Sequence, residues 1–290
     1  MTTSPVAIPP LGVGLGFREP FRAALFQNRD QVDFLEITAD HYFDRTPEKD
    51  RELDLLARHF RLIPHGLDLS LGSAEGLDRE YLARFSELVE RIDPPYWSEH
   101  IAFTHAGGVE IGHLAPLPWT EEAIDVVCRN VETARRHIDK PLILENITYT
   151  MRWPESGMEE SEFLTRLLDR SGCGWLLDVT NLYTNAINHG FDPLLALDRL
   201  PMDRVVQLHF VGGHWRDGQL IDSHSRPTPP EVWRLLEEVV RRAPVKGVIL
   251  ERDDNFPPFS ELLSELDQAR RILSKYQRWD SPNDNASSPS

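Results

Sequence analysis

The chain has 290 residues, of which 40% are hydrophobic, and this length suits one barrel of eight β/α units. Its formal net charge of −16 argues against nucleic acid as a partner, because phosphate binding depends on clustered Lys and Arg. No apolar run could span a membrane, and the N-terminus lacks a signal-peptide pattern. With only Cys128 and Cys173, a disulfide framework is not expected. A cytoplasmic protein with no membrane partner is predicted.

Short apolar runs alternate along the chain with longer amphipathic segments. The runs predict eight strands, at residues 11–16, 32–38, 61–70, 96–103, 141–147, 174–180, 204–210 and 246–252. Helical spacing of apolar residues predicts helices at residues 81–92, 121–138, 160–171, 193–200 and 230–242. Strands that alternate with helices predict a parallel sheet.

Eight such repeats predict an α/β fold closed into a (β/α)8 TIM barrel. No shift in composition marks a domain boundary, so residues 1–278 are predicted to form one metalloenzyme domain. Residues 279–290 have no apolar period and are rich in Ser, Pro, Asn and Asp. They are predicted to be a disordered tail.

Most of the predicted strands end at or just before a His, Asp, Glu or Asn. In a barrel these positions converge on one rim, where active sites are built. Imidazole and carboxylate ligands suit iron, manganese or zinc, and the lack of Cys among them disfavours a closed structural zinc site. They outnumber the ligands of one ion, so two or three ions bridged by carboxylates are expected. The candidates are Glu36, His65, Glu99, His100, Glu145, Asn146, Asp178, Asn181, His209, His214, Asp222, His224 and Glu251.

An isolated His or Glu at a strand end is most often a structural hydrogen-bonding residue. At least six strands end this way, however, and several interior carboxylates without cations would repel one another. The whole pattern therefore favours a metal site. His59 and His137 are predicted to be surface residues, and His189 to cap or orient the helix that follows it. No role is assigned to His41, His105 and His113.

A set of short motifs, in order and with consistent spacing, carries a family resemblance. They are HGLDLSLGS from His65, SEH from Ser98, LPWTEEA from Leu117, LILEN from Leu142, CGWLLDVTNLY from Cys173, NHGFDP from Asn188 and ILERDDN from Ile249. Together they resemble the multinuclear non-heme iron-dependent oxidative enzymes across nearly the whole chain. That resemblance implies a TIM barrel with two or three irons in mixed Fe2+/Fe3+ states. It also implies O2 as co-substrate and modification of Cys, or of Asp or Asn, in a ribosomally made precursor peptide.

The resemblance also implies roles for individual residues. One side of the iron cluster would be held by His65, His100 and Glu145, with Glu145 as a bridge. The central part would be held by Asp178, His209 and Glu251, and the third position by Asn181, Asp222 and His224. We predict that Glu145, Asp178 and His209 are catalytic, and that Glu36, Asn146 and His214 orient ligands or substrate. Many family members need a partner protein that captures the leader peptide, so such a partner is predicted here too.

The sequence departs from the family pattern near the substrate mouth. The segment from His209 to His214 is one residue longer than the family's His-x-x-Gly-His, which leaves the role of His214 open. The family's Asp-Val-Asn-Asn is here Asp178-Val-Thr-Asn181, and its Glu-Asn-Tyr is Asp40-His-Tyr. These changes suggest a subfamily with a different substrate.

Three other functions compete with this interpretation. A divalent-metal sugar isomerase or epimerase also gathers His, Asp and Glu at barrel strand ends, but the candidate motifs here contain almost no Lys. A three-zinc nuclease for abasic DNA is disfavoured by the net charge of −16. A peptide-binding scaffold without catalysis would not bind metal.

Overall fold

The computed structural model describes residues 8–276 and contains twelve strands there. They are β1 (Gly12–Gly16), β2 (Phe34–Thr38), β3 (Arg61–His65), β4 (Trp97–His100), β5 (Ala102–Ala106), β6 (Val109–Pro116), β7 (Leu142–Glu145), β8 (Gly174–Asp178), β9 (Val205–Phe210), β10 (Gly212–Arg216), β11 (Gln219–Arg226) and β12 (Gly247–Leu250). Eight of them pair in parallel as a closed barrel in the order β1-β12-β9-β8-β7-β4-β3-β2. The predicted single-domain (β/α)8 barrel is confirmed.

Helices surround this barrel. The α-helices of the described residues are α1 (Arg22–Gln27), α2 (Pro47–His59), α3 (Arg79–Ile92), α4 (Glu121–Arg135), α5 (Glu160–Ser171), α6 (Val179–His189), α7 (Pro193–Ala196), α8 (Pro230–Arg242) and α9 (Phe259–Lys275). Short 3-10 turns lie at Glu19–Phe21, Arg29–Gln31, Ala39–Tyr42 and Met202–Arg204. None of these helices is both long and apolar enough to cross a membrane.

The barrel strands are buried on both faces. Side chains that point outward from the strands pack under the helices in one large core. Side chains that point inward fill the barrel, and they are Leu11, Phe34, Ile63, Tyr96, Ile143, Leu176 and Ile249. These side chains fill the inside of the barrel, which is therefore a packed core and not a pore. Each of them stabilises the fold by roughly 1.5–3 kcal/mol, because burial removes its apolar surface from water. Polar side chains at the carboxyl ends of the strands therefore face the opposite, open rim.

Two hairpins at this rim were not predicted. β5 pairs with β6, and β10 pairs with β11, each as a separate antiparallel two-stranded sheet. The predicted strand at residues 96–103 is in fact the whole of β4 followed by the first two residues of β5. Most positions of both hairpins are half-buried or exposed, so they lack the continuous apolar run that marked the barrel strands.

Each of the five predicted helices is present, but some of their bounds differ from the prediction. The helices predicted at residues 160–171 and 230–242 match α5 and α8, whereas α4 ends at Arg135 and α7 is only four residues long. Helices α1, α2, α6 and α9 were not predicted. The expectation for His189 was wrong, because His189 ends α6 and Asp192 caps α7. Residues 279–290, the predicted tail, lie outside the described residues.

Candidate metal centre

The carboxyl ends of the barrel strands bring the candidate residues together. His65 ends β3, His100 ends β4, Glu145 ends β7 and Asp178 ends β8. Strand register places His100 opposite Glu145 and Asp178 opposite His209 on the neighbouring strands. All five side chains are buried. The parallel pairing therefore turns residues that are distant in the chain into neighbours on one rim.

Two imidazoles converge on one oxygen of Glu145. His65 Nε2 lies 3.2 Å and His100 Nε2 lies 3.5 Å from Glu145 Oε2. The other ring nitrogens are held from behind: His65 Nδ1 is 2.8 Å from Ser98 Oγ, and His100 Nδ1 is 3.1 Å from the Gly66 carbonyl oxygen. Such outer contacts fix the ring orientation and leave each Nε2 facing the carboxylate. His65, His100 and Glu145 form the first group.

His209 lies at the middle of the rim and is completely buried. Its Nδ1 is 3.3 Å from Glu145 Oε1 and 3.1 Å from Glu251 Oε2. Its Nε2 is 2.8 Å from Glu36 Oε1, and Glu36 Oε2 accepts a hydrogen bond from Gln207 Nε2 at 2.7 Å. Glu36 therefore fixes the orientation of the His209 ring through Nε2, and Nδ1 faces the carboxylates of Glu145 and Glu251.

Asp178 divides its two oxygens between structure and site. Its Oδ1 caps α6 by accepting the backbone N–H groups of Thr180 and Asn181, at 2.6 and 2.9 Å. Asn146 receives the Asp178 N–H and donates to the Asp178 carbonyl, which fixes the end of β8. Only Asp178 Oδ2 is left to face the rim. Together with Glu145, His209 and Glu251, it completes the second group.

The third group comes from a hairpin and a loop and not from barrel strands alone. His224, on β11, places Nε2 at 2.7 Å from Asp222 Oδ1 and Nδ1 at 3.3 Å from Glu251 Oε2. Asp253 Oδ2 lies 3.1 Å from the same Nδ1. His224, Glu251 and Asp253 form this third group, with Asp222 and Asn181 beside it. The His224 backbone has φ of 48°, a left-handed conformation that costs energy in a non-glycine residue.

The three groups overlap through two carboxylates. Glu145 belongs to the first and second groups, and Glu251 belongs to the second and third. Within each group the candidate ligand atoms lie within 4.8 Å of one another. This arrangement allows ions in adjacent positions to share a carboxylate, as expected for Glu145. The grouping adds Glu251 as a second carboxylate in a bridging position.

Unpartnered polar atoms test whether these residues suit a metal. Among the described residues, seven buried side-chain atoms of the rim make no hydrogen bond, and several of them face other polar atoms of the rim in the ion pairs given above. They are Glu145 Oε2, Asp178 Oδ2, Asn181 Oδ1, His209 Nδ1, Asp222 Oδ1, His224 Nδ1 and His224 Nε2. Leaving a buried polar atom without a partner is costly, and native proteins rarely do so. A set of carboxylate, amide and imidazole donors without sulfur fits iron, manganese or a similar divalent cation.

Electrostatics at the rim link these groups to one another. Burial lowers the pKa of His100, but Glu145, Glu99 and Glu251 together outweigh burial and the pKa rises to about 9. Burial raises the pKa of Asp178 to about 7, and Glu145 adds to the effect. Burial raises the pKa of Glu251, but His209 and His224 together hold that pKa well below its usual range. A cation would replace protons in this cluster.

A cavity of about 480 Å³ opens over the three groups. Its lining combines candidate ligands with apolar side chains. The apolar lining includes Leu67, Leu114, Pro116 and Ile147. Part of it is made by a bulge in β6, where Thr104 of β5 faces the four residues 111–114. The bulge brings His113 and Leu114 to the cavity.

Of the three residues predicted to orient ligands or substrate, Glu36 and Asn146 lie against candidate ligands and His214 lies on the β10–β11 hairpin. Glu36 and Asn146 contact candidate ligands directly, as described above. His214 lies on β10 with its Nδ1 2.8 Å from Ser223 Oγ, and Ser223 lines the cavity. His189 bonds the Tyr149 carbonyl at 2.8 Å through Nε2. His59 and His137 are exposed, as predicted.

Asp253 is a candidate that the sequence analysis missed. It lies two residues after Glu251, in the loop beyond β12, and its backbone N–H donates to the His224 carbonyl at 2.9 Å. The acidic residues Glu251, Asp253 and Asp254, close together in the chain, were the available signal.

Comparison with known proteins identifies the family. A family model for the RiPP precursor modification enzyme MbnB/TglH/ChrH matches residues 12–274. (RiPP denotes a ribosomally synthesised and post-translationally modified peptide.) A UPF0276 protein of Caulobacter vibrioides is 39% identical over 260 residues, covering 89% of this chain and 93% of that protein. A UPF0276 protein of Streptomyces avermitilis is 41% identical over 273 residues, covering 91% of this chain and 55% of that protein.

Solved structures with a similar fold are more distant in sequence. A putative xylose isomerase from Rhodospirillum rubrum has a TM-score of 0.56 at 15% identity, covering 92% of this chain and 99% of that chain. D-psicose 3-epimerase from Clostridium cellulolyticum has a TM-score of 0.55 at 10% identity, covering 92% and 98%. These likenesses show the barrel fold alone. The family model and the sequence relatives agree with the resemblance carried by the motifs, and the chain belongs to the MbnB/TglH/ChrH family of RiPP precursor modification enzymes.

Proposed function

We propose that this protein is an iron-dependent enzyme that uses O2 to modify a Cys, or an Asp or Asn, of a ribosomally made precursor peptide. The observation that carries the proposal is the convergence on one rim of seven buried N and O atoms that make no hydrogen bond. Membership of a peptide-modifying family supports the substrate class. Two or three ions, in mixed Fe2+/Fe3+ states, suit three overlapping groups of this composition.

Each predicted ligand has a place in this proposal. The first ion would be held by His65, His100 and Glu145, the second by Glu145, Asp178, His209 and Glu251, and the third by Asn181, Asp222, His224, Glu251 and Asp253. Bound iron supplies the redox chemistry with O2 and an open position for a substrate sulfur or oxygen atom. We propose Glu145, Asp178 and His209 as the catalytic core because they lie deepest in the rim, buried on all sides.

The protein's own residues set the protonation and the geometry of the site. With Glu36 accepting the Nε2 proton of His209, the Nδ1 lone pair faces Glu145 and Glu251. The Gly66 carbonyl acts in the same way on His100 Nδ1. These contacts aim the imidazoles inward, and a bound metal would take each ring in its neutral form by displacing a proton.

The cavity above the groups defines how a peptide would enter. Its apolar lining excludes water from the reacting group, while Thr148, Ser223 and the candidate ligands offer polar contacts. A volume of about 480 Å³ accommodates a few side chains and not a folded domain. We therefore propose that an extended peptide segment enters it. The need for a partner protein that captures the leader stays a prediction.

The first test is the metal content of protein purified without O2, with Mössbauer spectroscopy. We expect two or three irons per chain, partly antiferromagnetically coupled, and O2 uptake that depends on a precursor peptide. Glu145→Gln should lower the iron content by more than one ion, because Glu145 belongs to two groups. His137→Ala, on the exposed surface, is the matched control and should leave it unchanged. One Mn, Mg or Zn ion without coupled iron would contradict the proposal.

A divalent-metal sugar isomerase or epimerase remains the alternative. It shares the barrel fold, but the fold alone carries no substrate. The described residues that line the cavity include no Lys that could serve such chemistry. Turnover of a ketose by colourless, manganese-loaded protein that is indifferent to O2 would favour it over the peptide-modifying enzyme.

A further inference from the structure

Arg18 is a buried cation at the metal rim that none of the functions described above uses. It lies two residues beyond β1, and its side chain is only 16% exposed. Its Nε donates to Asp253 Oδ1 at 2.8 Å, and its Nη2 donates to Glu251 Oε1 at 3.1 Å and also to Asp253. Its Nη1 donates to the Phe17 carbonyl at 2.9 Å, which holds the guanidinium in place.

These bonds divide each carboxylate into two halves. Glu251 gives Oε1 to Arg18, while Oε2 lies 3.1 Å from His209 Nδ1 and 3.3 Å from His224 Nδ1. Asp253 gives Oδ1 to Arg18, while Oδ2 lies 3.1 Å from His224 Nδ1. Thus one oxygen of each carboxylate is occupied from behind, and the other is turned toward His224.

The third group needs such a support more than the first group does. Each residue of the first group ends a barrel strand, and the hydrogen-bonded barrel fixes its position. By contrast, His224 lies on a hairpin and Asp253 lies in a loop, with an exposed side chain. Arg18 is attached to β1 and so connects the hairpin and the loop to the barrel wall. Two-point binding of carboxylates by a planar guanidinium fixes geometry as well as charge.

We propose that Arg18 is the positioning residue of the third group, whose fork turns Glu251 Oε2 and Asp253 Oδ2 toward an ion bound beside His224. This inference rests on the proposed multinuclear metal site. It assigns the largest effect of Arg18 to the third position, because Asp253 belongs to the third group alone whereas Glu251 is shared with the second. Arginine, and not merely a positive charge, is required, because a lysine ammonium lacks the planar fork that binds both carboxylates in fixed orientation.

The test compares Arg18→Lys and Arg18→Gln with wild-type protein. The full chain is stripped with a chelator and titrated with Fe2+ without O2, and the stoichiometry, affinity and Mössbauer spectrum are measured. Both variants should bind one equivalent of iron about 10–100-fold more weakly, the usual effect of removing an outer contact. The equivalent held by His65, His100 and Glu145 should keep its wild-type affinity, because Arg18 contacts none of these residues. Arg270→Gln is the control, since Arg270 pairs with Asp33 at the opposite end of β1.

Several outcomes would overturn the inference. Wild-type affinity for every equivalent in Arg18→Lys would mean that charge alone matters. Equal weakening of all equivalents in both variants would mean that Arg18 has no selective role. Circular dichroism checks folding, and Arg18→Lys carries the test if Arg18→Gln does not fold. If wild-type protein itself binds no more than one ion, the proposed function fails, and this result is distinct from failure of the inference.

Discussion

Replacement of Glu36 by Gln tests how the protein fixes the protonation of His209. Hydrogen bonds run in one direction through the barrel interior: Tyr96 O–H donates to Gln207 Oε1, and Gln207 Nε2 donates to Glu36 Oε2 at 2.7 Å. Glu36 Oε1 then receives the proton of His209 Nε2, 2.8 Å away. Glu36 must therefore accept on both oxygens, which only a carboxylate can do.

The glutamine side chain in Glu36→Gln would have the same shape but one donor too many. If its amide oxygen faces Gln207, its NH2 faces His209 Nε2 and forces the proton to Nδ1, the atom that faces Glu145 and Glu251. If the amide is flipped, two NH2 groups meet. Either clash costs about 1–3 kcal/mol, which corresponds to roughly 5–150-fold in affinity. We expect Glu36→Gln to weaken iron binding at the second group by that factor.

A second substitution should reverse the effect. In Glu36→Gln/Gln207→Glu, the carboxylate at position 207 accepts from both Tyr96 and the new amide, and the amide oxygen again accepts from His209. The assay is anaerobic titration of stripped protein with Fe2+ against a chromophoric chelator. Wild-type affinity in the single variant would refute the reasoning, and so would a double variant that binds no better than the single one.

Three further predictions follow from the same geometry. In stripped protein the raised pKa values of His100 (about 9) and Asp178 (about 7) mean that the associated stability is present at low pH and lost as pH rises through those values. Because iron must displace these protons, the Fe2+ affinity should rise between about pH 6 and about pH 9. The expected rise is up to tenfold per pH unit for each proton displaced. An Fe2+ affinity that does not change with pH would contradict this prediction. His113→Ala should leave the iron content unchanged and raise KM for the peptide about 2–10-fold, as for one lost hydrogen bond, and an unchanged KM would remove His113 from the substrate wall. Asn188→Leu should loosen the hairpin of β10 and β11, since Asn188 donates to the Leu220 carbonyl at 2.8 Å and accepts the Leu220 N–H at 2.9 Å. Amide exchange in β11 should accelerate by at least about fivefold, while exchange in the barrel strands stays constant.

The sequence was sufficient to predict the barrel because its strands are buried on both faces. Such strands appear as continuous apolar runs, and all eight were located. Helix α6 was missed because it begins at Val179, inside the apolar run that predicted β8. There Asp178 serves as helix cap and candidate ligand at once, and the sequence shows no separate cap.

The candidate site was predictable where a ligand ends a strand. His65, His100, Glu145 and Asp178 do so, and the structure places them on one rim. Arg18 could not be recognised as a rim residue, because its role depends on how its side chain crosses from β1 to the loop after β12. The choice of which carboxylate oxygen faces inward is likewise a property of packing and not of spacing.

The hairpin of β10 and β11 explains how one barrel rim can hold three groups. All residues of the first group lie at the ends of barrel strands. The second group also lies on barrel strands, except for Glu251, which is one residue past β12. Both groups are therefore held as rigidly as the barrel itself. The third group depends on β11, which contributes His224 and, beside it, Asp222. That hairpin is held by α6 through Asn188 and by the loop after β12 through the Asp253 N–H. A hairpin held by a few hydrogen bonds opens at lower free energy than a barrel does. The third position should therefore lose its ion first when the protein is titrated with chelator, and selective retention of that ion would show that the hairpin is more rigid than its contacts imply.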